Sequence, residues 1–149
     1  MNQTLKYPPF DVRIKKNKDK TYIFDAFRKK WVVVSPEEWV RQHVLHYLVS
    51  IIKISPSKIA VEKELQLNDL KKRFDIVVYN NLLKPLLIVE CKAPYVQLDQ
   101  NTIAQAQRYN LVLNAELLMI TNGVSDLVLN KENKEVKLDA YLNNLAGAK

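Results

Sequence analysis

The sequence predicts a single α/β domain in which a mixed β-sheet carries helices on its faces. Its 149 residues are 48% hydrophobic and 26% charged, an ordinary composition for one globular domain. Short apolar runs with strand patterning alternate with two longer stretches whose apolar residues recur at helical spacing. Two of the predicted strands are joined by a short polar loop, so the sheet is expected to have a hairpin at its centre.

The N-terminal part is predicted to be β-rich. Residues 1–10 are expected to form a poorly ordered lead-in, because Pro8 and Pro9 force extended backbone. Polar turns then separate three short strands, predicted at 12–16, 21–24 and 31–34. The chain is therefore divided into a basic, β-rich extension, residues 1–34, and an α/β core, residues 35–149, within one domain.

The core opens with a strong helix start at Ser35-Pro36-Glu37-Glu38. Ser35 is the predicted N-cap, Pro36 takes the first helical position and Glu38 is expected to complete a capping box. This helix should end before Pro56. The remaining predictions are strands at 59–67, 74–79, 86–91, 117–121 and 125–129, a helix at 99–114, and a short final helix from residue 138 followed by a frayed tail.

Positive charge is concentrated near the N-terminus. The net charge is +7, of which residues 1–35 carry +6 and the remaining residues only +1. A basic segment on a nearly neutral body favours a polyanion such as DNA as its partner, although a solvated face that keeps the protein soluble explains the charge equally well. The candidate DNA contacts are lysines at or beside the predicted turns: Lys15, Lys16, Lys18, Lys20, Lys29 and Lys30.

Composition also excludes several classes of site. Cys91 is the only cysteine, so internal disulfides and multi-cysteine zinc sites are excluded. Gly123 and Gly147 are the only glycines, which leaves no Gly-rich phosphate loop. No apolar run is long enough to span a bilayer, and the N-terminal residues lack the apolar segment of a secretory signal. A reducing cytoplasm, with no membrane partner, is therefore the expected location.

Charged residues interrupt two strands that are otherwise apolar. The strand predicted at 74–79 contains Asp75, and the strand at 86–91 contains Glu90, with Lys92 just after it. Runs that are apolar on both faces are typical of a sheet covered on both sides, where an unpaired charge is costly. Each of these residues therefore needs a partner, a metal or water. Any one of them alone is better explained by an exposed ion pair at a sheet end.

The numbering of the hairpin predicts that the two carboxylates meet. Residues paired across an antiparallel hairpin have a constant sum of residue numbers. If Asp75 and Glu90 are such a pair, the centre of the turn falls within the polar loop. They are therefore expected to be direct neighbours on one face, which Lys92 shares. Two adjacent carboxylates repel unless a cation lies between them, and hard oxygen ligands suit Mg²⁺ or Mn²⁺.

These residues resemble the PD-(D/E)XK nuclease superfamily, whose core pattern is an acid on one strand and Glu-X-Lys on the next. Here the pattern reads Arg73-Phe74-Asp75 and Val89-Glu90-Cys91-Lys92, without the usual proline before the first acid. Gln105 and Tyr109 resemble the Gln-x-x-x-Tyr element of one branch. The first helix carries Glu37 and Glu38, as this superfamily's first helix often does.

Within the superfamily, the sequence is most similar to the N-terminal domain of type I restriction enzyme R subunits, in its small stand-alone form. The similar stretches are 35–42, 73–77, 89–94 and 105–109, with Thr121-Asn122-Gly123 after them. The resemblance implies a restriction-endonuclease-like fold with a mixed sheet of about five strands. It does not extend to a helicase motor, since the chain has no Walker motif.

The resemblance implies metal-dependent hydrolysis of phosphodiester bonds in DNA. Asp75 and Glu90, with the Cys91 carbonyl, would bind Mg²⁺ or Mn²⁺, which stabilises charge on the phosphate and activates a water. Lys92 would position or deprotonate that water. Glu38, or less favourably Glu37, would support the metal, and Gln105 with Tyr109 would place the substrate phosphate. A homodimer or a restriction or helicase partner is also expected under this reading.

Two other interpretations remain open from the sequence. The chain could be a DNA-binding or partner-binding module that keeps the nuclease fold without turnover, although binding alone would not need Asp75, Glu90 and Lys92. It could also be a structural α/β protein with coincidental charges. In that case Gln105 and Tyr109 are an ordinary helix face, Glu38 serves only as a capping acid and Lys92 extends from the sheet edge into water.

Overall fold

The computed structural model describes residues 4–67 and 69–147, and it contains two β-sheets and three α-helices. The smaller sheet is an antiparallel meander of three short strands, as the sequence predicted. It is formed by β1 (Ile14–Asn17), β2 (Lys20–Asp25) and β3 (Lys30–Val33), and helix α1 (Pro36–Ser50) follows it.

The larger sheet is mixed and has five strands in sequential order. Neighbouring strands of this sheet are antiparallel, except that the two strands joined by α2 (Gln100–Val112) run parallel to each other. This confirms the predicted mixed sheet with a hairpin at its centre. The strands are β4 (Ile59–Leu67), β5 (Leu70–Tyr79), β6 (Pro85–Cys91), β7 (Leu117–Thr121) and β8 (Asp126–Asn130), and α3 (Leu138–Gly147) follows. The tail predicted after α3 lies partly outside the described residues.

Each face of the large sheet is covered by a helix. Val40, Val44 and Leu48 of α1 pack on the face that includes Ile76 and Val89. On the other face, Ala106 of α2 packs with a second set of buried residues, namely Val77, Ile88, Leu118 and Ile120. Burial on both faces explains why β5 and β6 read as continuous apolar runs.

The start of α1 confirms one half of the expected capping box. The Ser35 hydroxyl accepts a hydrogen bond from the Glu38 N–H at 3.0 Å. The other half is wrong, because the Glu38 carboxylate accepts its hydrogen bonds from Arg28, Arg41 and Gln42 instead of from the cap. The cap therefore leaves this carboxylate free to join a buried charge network.

The expectation of a poorly ordered lead-in is wrong for the described residues before β1. Leu5 and Tyr7 are buried in the core on the α1 side of the large sheet. The Lys6 N–H donates to the Gly123 carbonyl at 2.8 Å, and the Tyr7 hydroxyl donates to Asp126 at 2.8 Å. Gly123 has a φ of 85°, and a Cβ there would lie 2.9 Å from Leu5, so this close approach requires glycine.

In the described parts of the chain, no helix has the length and apolar character needed to cross a membrane.

Candidate metal and phosphate site

The pairing of β5 with β6 follows the predicted register. Ile76 pairs with Val89 and Val77 with Ile88, so the residue numbers of each pair add to the sum predicted for Asp75 and Glu90. The observed ladder begins at Ile76 and Val89, and the same register continued by one residue would place Asp75 opposite Glu90. The Cys91 N–H donates to Asp75 Oδ2 at 2.7 Å, which brings the Asp75 side chain against the β6 backbone at this point.

Around Asp75, the side chains of β5 do not alternate strictly between the two faces of the sheet. Ile76 packs on the α1 side and Val77 on the α2 side, yet Phe74 also packs on the α2 side. Opposite Asp75 on β4, Glu62 adopts a left-handed φ of 56° and has no paired residue, although pairing resumes on both sides of it. The expectation that Asp75 and Glu90 share one face assumed strict alternation and is wrong here. Asp75 contacts Arg41 of α1, whereas Glu90 pairs with Lys72, which lies over Phe74 and Tyr109 on the α2 side.

Asp75 is held by a main-chain donor and by a cation from α1. Its Oδ1 atom accepts a hydrogen bond from Arg41 Nη1 at 3.2 Å, while Oδ2 accepts from the Cys91 N–H. Burial raises the pKa of Asp75, and the Cys91 N–H and the Arg41 charge only partly oppose it; the nearby Glu90 raises it further. The carboxylate is therefore fixed in orientation, with acceptor capacity left on both oxygens.

Glu90 is a buried carboxylate between two lysines. Its Oε1 atom lies 3.1 Å from Lys72 Nζ, and its Oε2 atom lies 3.4 Å from Lys92 Nζ. Only 8% of Glu90 is exposed, and Oε2 makes no hydrogen bond with any described residue. The Lys92 contact is thus an ion pair without good hydrogen-bond geometry. Oε2 is an unsatisfied acceptor of the kind that a cation or a water would fill.

Gln105 and Tyr109 are connected to Glu90 through Lys72. Gln105 Nε2 donates to the Tyr109 hydroxyl at 3.0 Å on one face of α2. Lys72 Nζ lies 5.4 Å from the centroids of the Tyr109 and Phe74 rings, so it extends over both. Burial acts to lower the pKa of Lys72, but its hydrogen bond and charge interaction with Glu90 raise the pKa overall. Sequence reasoning missed Lys72.

Glu38 lies in a buried charge network beside Asp75. Arg41 and Arg28 both donate to its carboxylate, and Gln42 donates to it at 3.1 Å. Burial alone would raise the pKa of Glu38, but the hydrogen bonds from Arg41 and Arg28 outweigh burial and lower it to about 2. Glu37 is exposed, so of the two candidates only Glu38 is buried in this network. Glu38 is linked to Asp75 through Arg41, which donates hydrogen bonds to both carboxylates.

The network extends to two further acids that the sequence did not single out. Asp25, at the end of β2, is fully buried and accepts hydrogen bonds from Arg28 and Gln42. Glu62 lies 3.2 Å from Arg28 and 3.5 Å from Arg41. Asp25, Glu38, Glu62 and Asp75 thus face two arginines, which leaves an excess of negative charge at this end of the sheet. An excess of this sign favours a bound cation.

Comparison with known proteins decides the family. A family model described as the type I restriction enzyme R protein N terminus (HSDR_N) matches residues 36–144. The chain belongs to this family. The matched range contains all of the site residues just described except Asp25, at the end of β2, and Arg28, in the turn between β2 and β3.

One solved structure is similar to this HSDR_N chain over much of its length. It is titled "Crystal structure of SSO0001", with 16% sequence identity and a TM-score of 0.36. The similarity covers 74% of this chain and 56% of that chain, so the HSDR_N chain spans little more than half of the other protein. No curated protein matches the chain.

Two carboxylates of this HSDR_N chain, on neighbouring strands, are oxygen donors of the type that a hard divalent cation prefers. Across residues 4–67 and 69–147, no group of three or more His, Cys, Asp or Glu side chains is arranged to hold a metal. A site here would therefore consist of Asp75 and Glu90 with a main-chain oxygen, such as that of Cys91, and water. Magnesium commonly binds in this way, through one or two carboxylates with several waters retained. The unsatisfied Glu90 Oε2 supports the fit.

The candidate DNA contacts lie in and around the three-stranded sheet, away from the paired acids. All six lysines are exposed. Lys15 and Lys20 share one face of the sheet by strand alternation, whereas Lys16 and Lys30 occupy positions on the other face. Lys18 and Lys29 lie in the turns, where both have a left-handed φ. The six predicted lysines therefore lie on both faces of the three-stranded sheet and in its two turns.

Proposed function

We propose that this chain is a divalent-metal-dependent nuclease module that hydrolyses phosphodiester bonds in DNA, in a restriction-related role. The observation that carries the proposal is the buried Glu90 carboxylate. One of its oxygens is unsatisfied, and its strand, β6, pairs with the strand of Asp75, β5. A buried oxygen without a hydrogen-bond partner is costly, and a bound cation would satisfy it. Membership of the HSDR_N family supports the restriction context.

Asp75, Glu90 and the Cys91 carbonyl are the proposed ligands for Mg²⁺ or Mn²⁺. Such an ion supplies positive charge for the scissile phosphate and lowers the pKa of water. The Cys91 N–H and Arg41 hold Asp75 in one orientation. Lys72 pairs with one oxygen of Glu90, while the other oxygen makes no hydrogen bond with any described residue. The chain thus orients both acids before any ligand binds.

Lys92 is the proposed catalytic lysine. It lies beside the unsatisfied oxygen of Glu90 without a good hydrogen bond to it, so its ammonium group can donate to a substrate phosphate or orient an attacking water. Lys92 is about one third exposed, which leaves it accessible to DNA. Gln105 and Tyr109 are proposed as positioning residues, because they support Lys72, which in turn holds Glu90.

DNA is the proposed substrate, and other subunits of a restriction system are proposed partners. A non-catalytic DNA-binding module is the second candidate. It is favoured by one observation, namely that Asp75 and Glu90 each already have a cationic partner within the chain.

A cleavage assay distinguishes the two candidates. Plasmid and single-stranded DNA are incubated with the protein in Mg²⁺, Mn²⁺ or EDTA. We expect cleavage with metal and none with EDTA. Glu90→Gln should reduce the rate at least about 100-fold, because even groups that only support a metal ligand are typically worth about 10–100-fold. Lys92→Ala should reduce it by about 10²–10⁴-fold, as expected for a proton-transfer group.

Matched controls use an ion pair elsewhere in the chain. Glu116 and Lys131 form a half-exposed pair, so Glu116→Gln and Lys131→Ala make the same charge changes away from the site. Both should cleave like the wild type. A folded wild-type protein that cuts no DNA form in either metal would contradict the nuclease proposal and favour the binding module. Cleavage by Lys92→Ala at the wild-type rate would refute the role of Lys92.

A further inference from the structure

One face of the three-stranded sheet combines aromatic rings with cations. The backbone pairing gives two rows across the sheet. In the first row, the Phe24 N–H donates to the Arg13 carbonyl, and Phe24 pairs with Trp31. In the second row, Tyr22 pairs with Lys15 on one side and Val33 on the other. Because side chains alternate along a strand, the members of both rows point to the same face, here called the aromatic face.

The rings of the aromatic face form a connected surface. The centroids of the Phe24 and Trp31 rings are 5.5 Å apart. The Arg13 guanidinium lies 4.4 Å from the Phe24 centroid, and Lys15 Nζ lies 4.4 Å from the Trp31 centroid. Lys15 also approaches Tyr22 at 5.8 Å. Each ring therefore carries a positive charge close to it, in the range of cation–π contacts.

The aromatic face is turned away from the core. The opposite face carries Ile23 and Asp25, which are 1% and 0% exposed, and Asp25 accepts a hydrogen bond from Gln42 of α1. Tyr22, Phe24 and Trp31 are only partly buried, and Val33 is 48% exposed. Only the opposite face of the sheet is therefore needed to cover the core. It does not explain why three aromatic residues lie on the outer one.

Charge on the aromatic face has one sign. Its strand positions include Lys15 and Lys20, and Arg13 adjoins them. The acid within these strands, Asp25, lies on the opposite face and is already paired with Arg28. In the neighbouring turns, Lys18 and Lys29 outnumber the one exposed acid, Asp19. The surface is therefore complementary to a polyanion that also offers flat apolar groups.

We propose that the aromatic face binds single-stranded nucleic acid, with unpaired bases stacked on Trp31, Phe24 and Tyr22 and with Arg13, Lys15 and Lys20 at the phosphates. Unpaired bases present their ring faces to a protein, whereas a duplex keeps them stacked within the helix. This inference goes beyond the proposed hydrolysis, since it concerns a second surface and the form of DNA that the chain holds. It does not depend on a metal.

Binding is measured in EDTA, so that the result is independent of cleavage. The Trp39→Phe variant leaves Trp31 as the remaining tryptophan of the two in the chain. Oligothymidylate should quench its fluorescence. An abasic strand of equal length and charge should bind about tenfold more weakly for each base that stacks, since stacking contributes about 1–3 kcal/mol per base. A duplex of equal length should compete poorly for the same protein.

Two adjacent lysines provide a matched control. Lys15 lies on the aromatic face and Lys16 on the opposite face, so Lys15→Gln and Lys16→Gln remove the same charge from the two sides of one strand. We expect Lys15→Gln to weaken binding of oligothymidylate several-fold more than Lys16→Gln. Trp31→Leu should reduce the preference for bases over the abasic strand by about tenfold, the share of one stacked base, while the protein remains folded.

Several results would overturn the proposal. Equal affinity for the abasic strand and for oligothymidylate would show that charge alone accounts for binding. Equal competition by duplex would have the same meaning. Quenching of Trp31 that depends on protein concentration without DNA would show that a second copy of the chain covers this face. If Trp39→Phe fails to fold, the comparison of the two strands is made with the wild-type protein by fluorescence anisotropy of labelled DNA.

Discussion

The guanidinium of Arg41 lies 3.2 Å from Asp75 and ties helix α1 to strand β5 at the candidate site. The same guanidinium donates to both oxygens of Glu38. Arg41 is only 7% exposed, so these contacts form largely out of water. One buried cation therefore supports the buried Glu38 and the half-buried Asp75, and the position of Asp75 depends on a residue of a different layer of the fold.

Removal of Arg41 should destabilise the protein strongly. Arg41→Gln leaves Glu38 and Asp75 with less positive charge in a buried setting, and loss of one partner of a buried ion pair typically costs about 3–5 kcal/mol. The measurement is the free energy of unfolding from urea titration. Lys131→Gln is the control, because its pair with Glu116 is exposed and exposed pairs contribute about 0–1 kcal/mol. Equal effects of the two changes would show that Arg41 is not a structural cation.

Glu38 should make stability depend on pH in the acid range. Its pKa is about 2 in the folded protein and 4.5 ordinarily, so the ionised form stabilises the fold above the ordinary value. This contribution, about 3 kcal/mol, should be lost as the pH falls from about 4.5 to about 2. Glu38→Gln lacks it. The difference in unfolding free energy between wild type and Glu38→Gln should therefore shrink over that interval, and a constant difference would contradict the assignment.

Lys72 should compete with a divalent cation for Glu90. Lys72→Met removes a positive charge 3.1 Å from Glu90 while keeping most of the side-chain volume. Mn²⁺ affinity, measured by calorimetry, should then rise at least about tenfold, because a unit charge about 4 Å away contributes about 1 kcal/mol in water and about 4 kcal/mol near a protein surface. Lys71→Met is the matched control, because Lys71 is mostly exposed and pairs with Glu64. A fall in affinity in Lys72→Met would mean that Lys72 supports the ligand rather than competing.

The parts of the fold that the sequence predicted well depend on local signals. Ser35 and Pro36 start a helix through capping and backbone geometry, and the structure begins α1 at Pro36. The register of β5 with β6 followed from the turn and from the two acids alone, since a hairpin leaves little freedom in pairing. The five-stranded mixed sheet was predicted on the same basis.

What the sequence did not predict depends on irregular backbone and on distant contacts. Lys72 reaches Glu90 because the alternation of β5 changes between Phe74 and Ile76, opposite the left-handed Glu62. A sequence pattern that assumes strict alternation of side chains along a strand cannot reveal such a local break. Leu5 and Tyr7 pack against residues more than 100 positions away, so nothing local indicated their burial. The contact of Arg41 with Asp75, 34 positions along the chain, was hidden because it also depends on tertiary packing.

The most direct test of the metal site is a crystal of the protein soaked in Mn²⁺ and measured at a wavelength where manganese scatters anomalously. We expect one strong anomalous peak within coordination distance of both Asp75 and Glu90 carboxylates, at about 2.0–2.2 Å as for ions of the Mg²⁺ type. The peak should disappear in crystals of Glu90→Gln and persist in Glu116→Gln. A peak bound to other residues alone, or none in crystals that diffract equally well, would contradict the account.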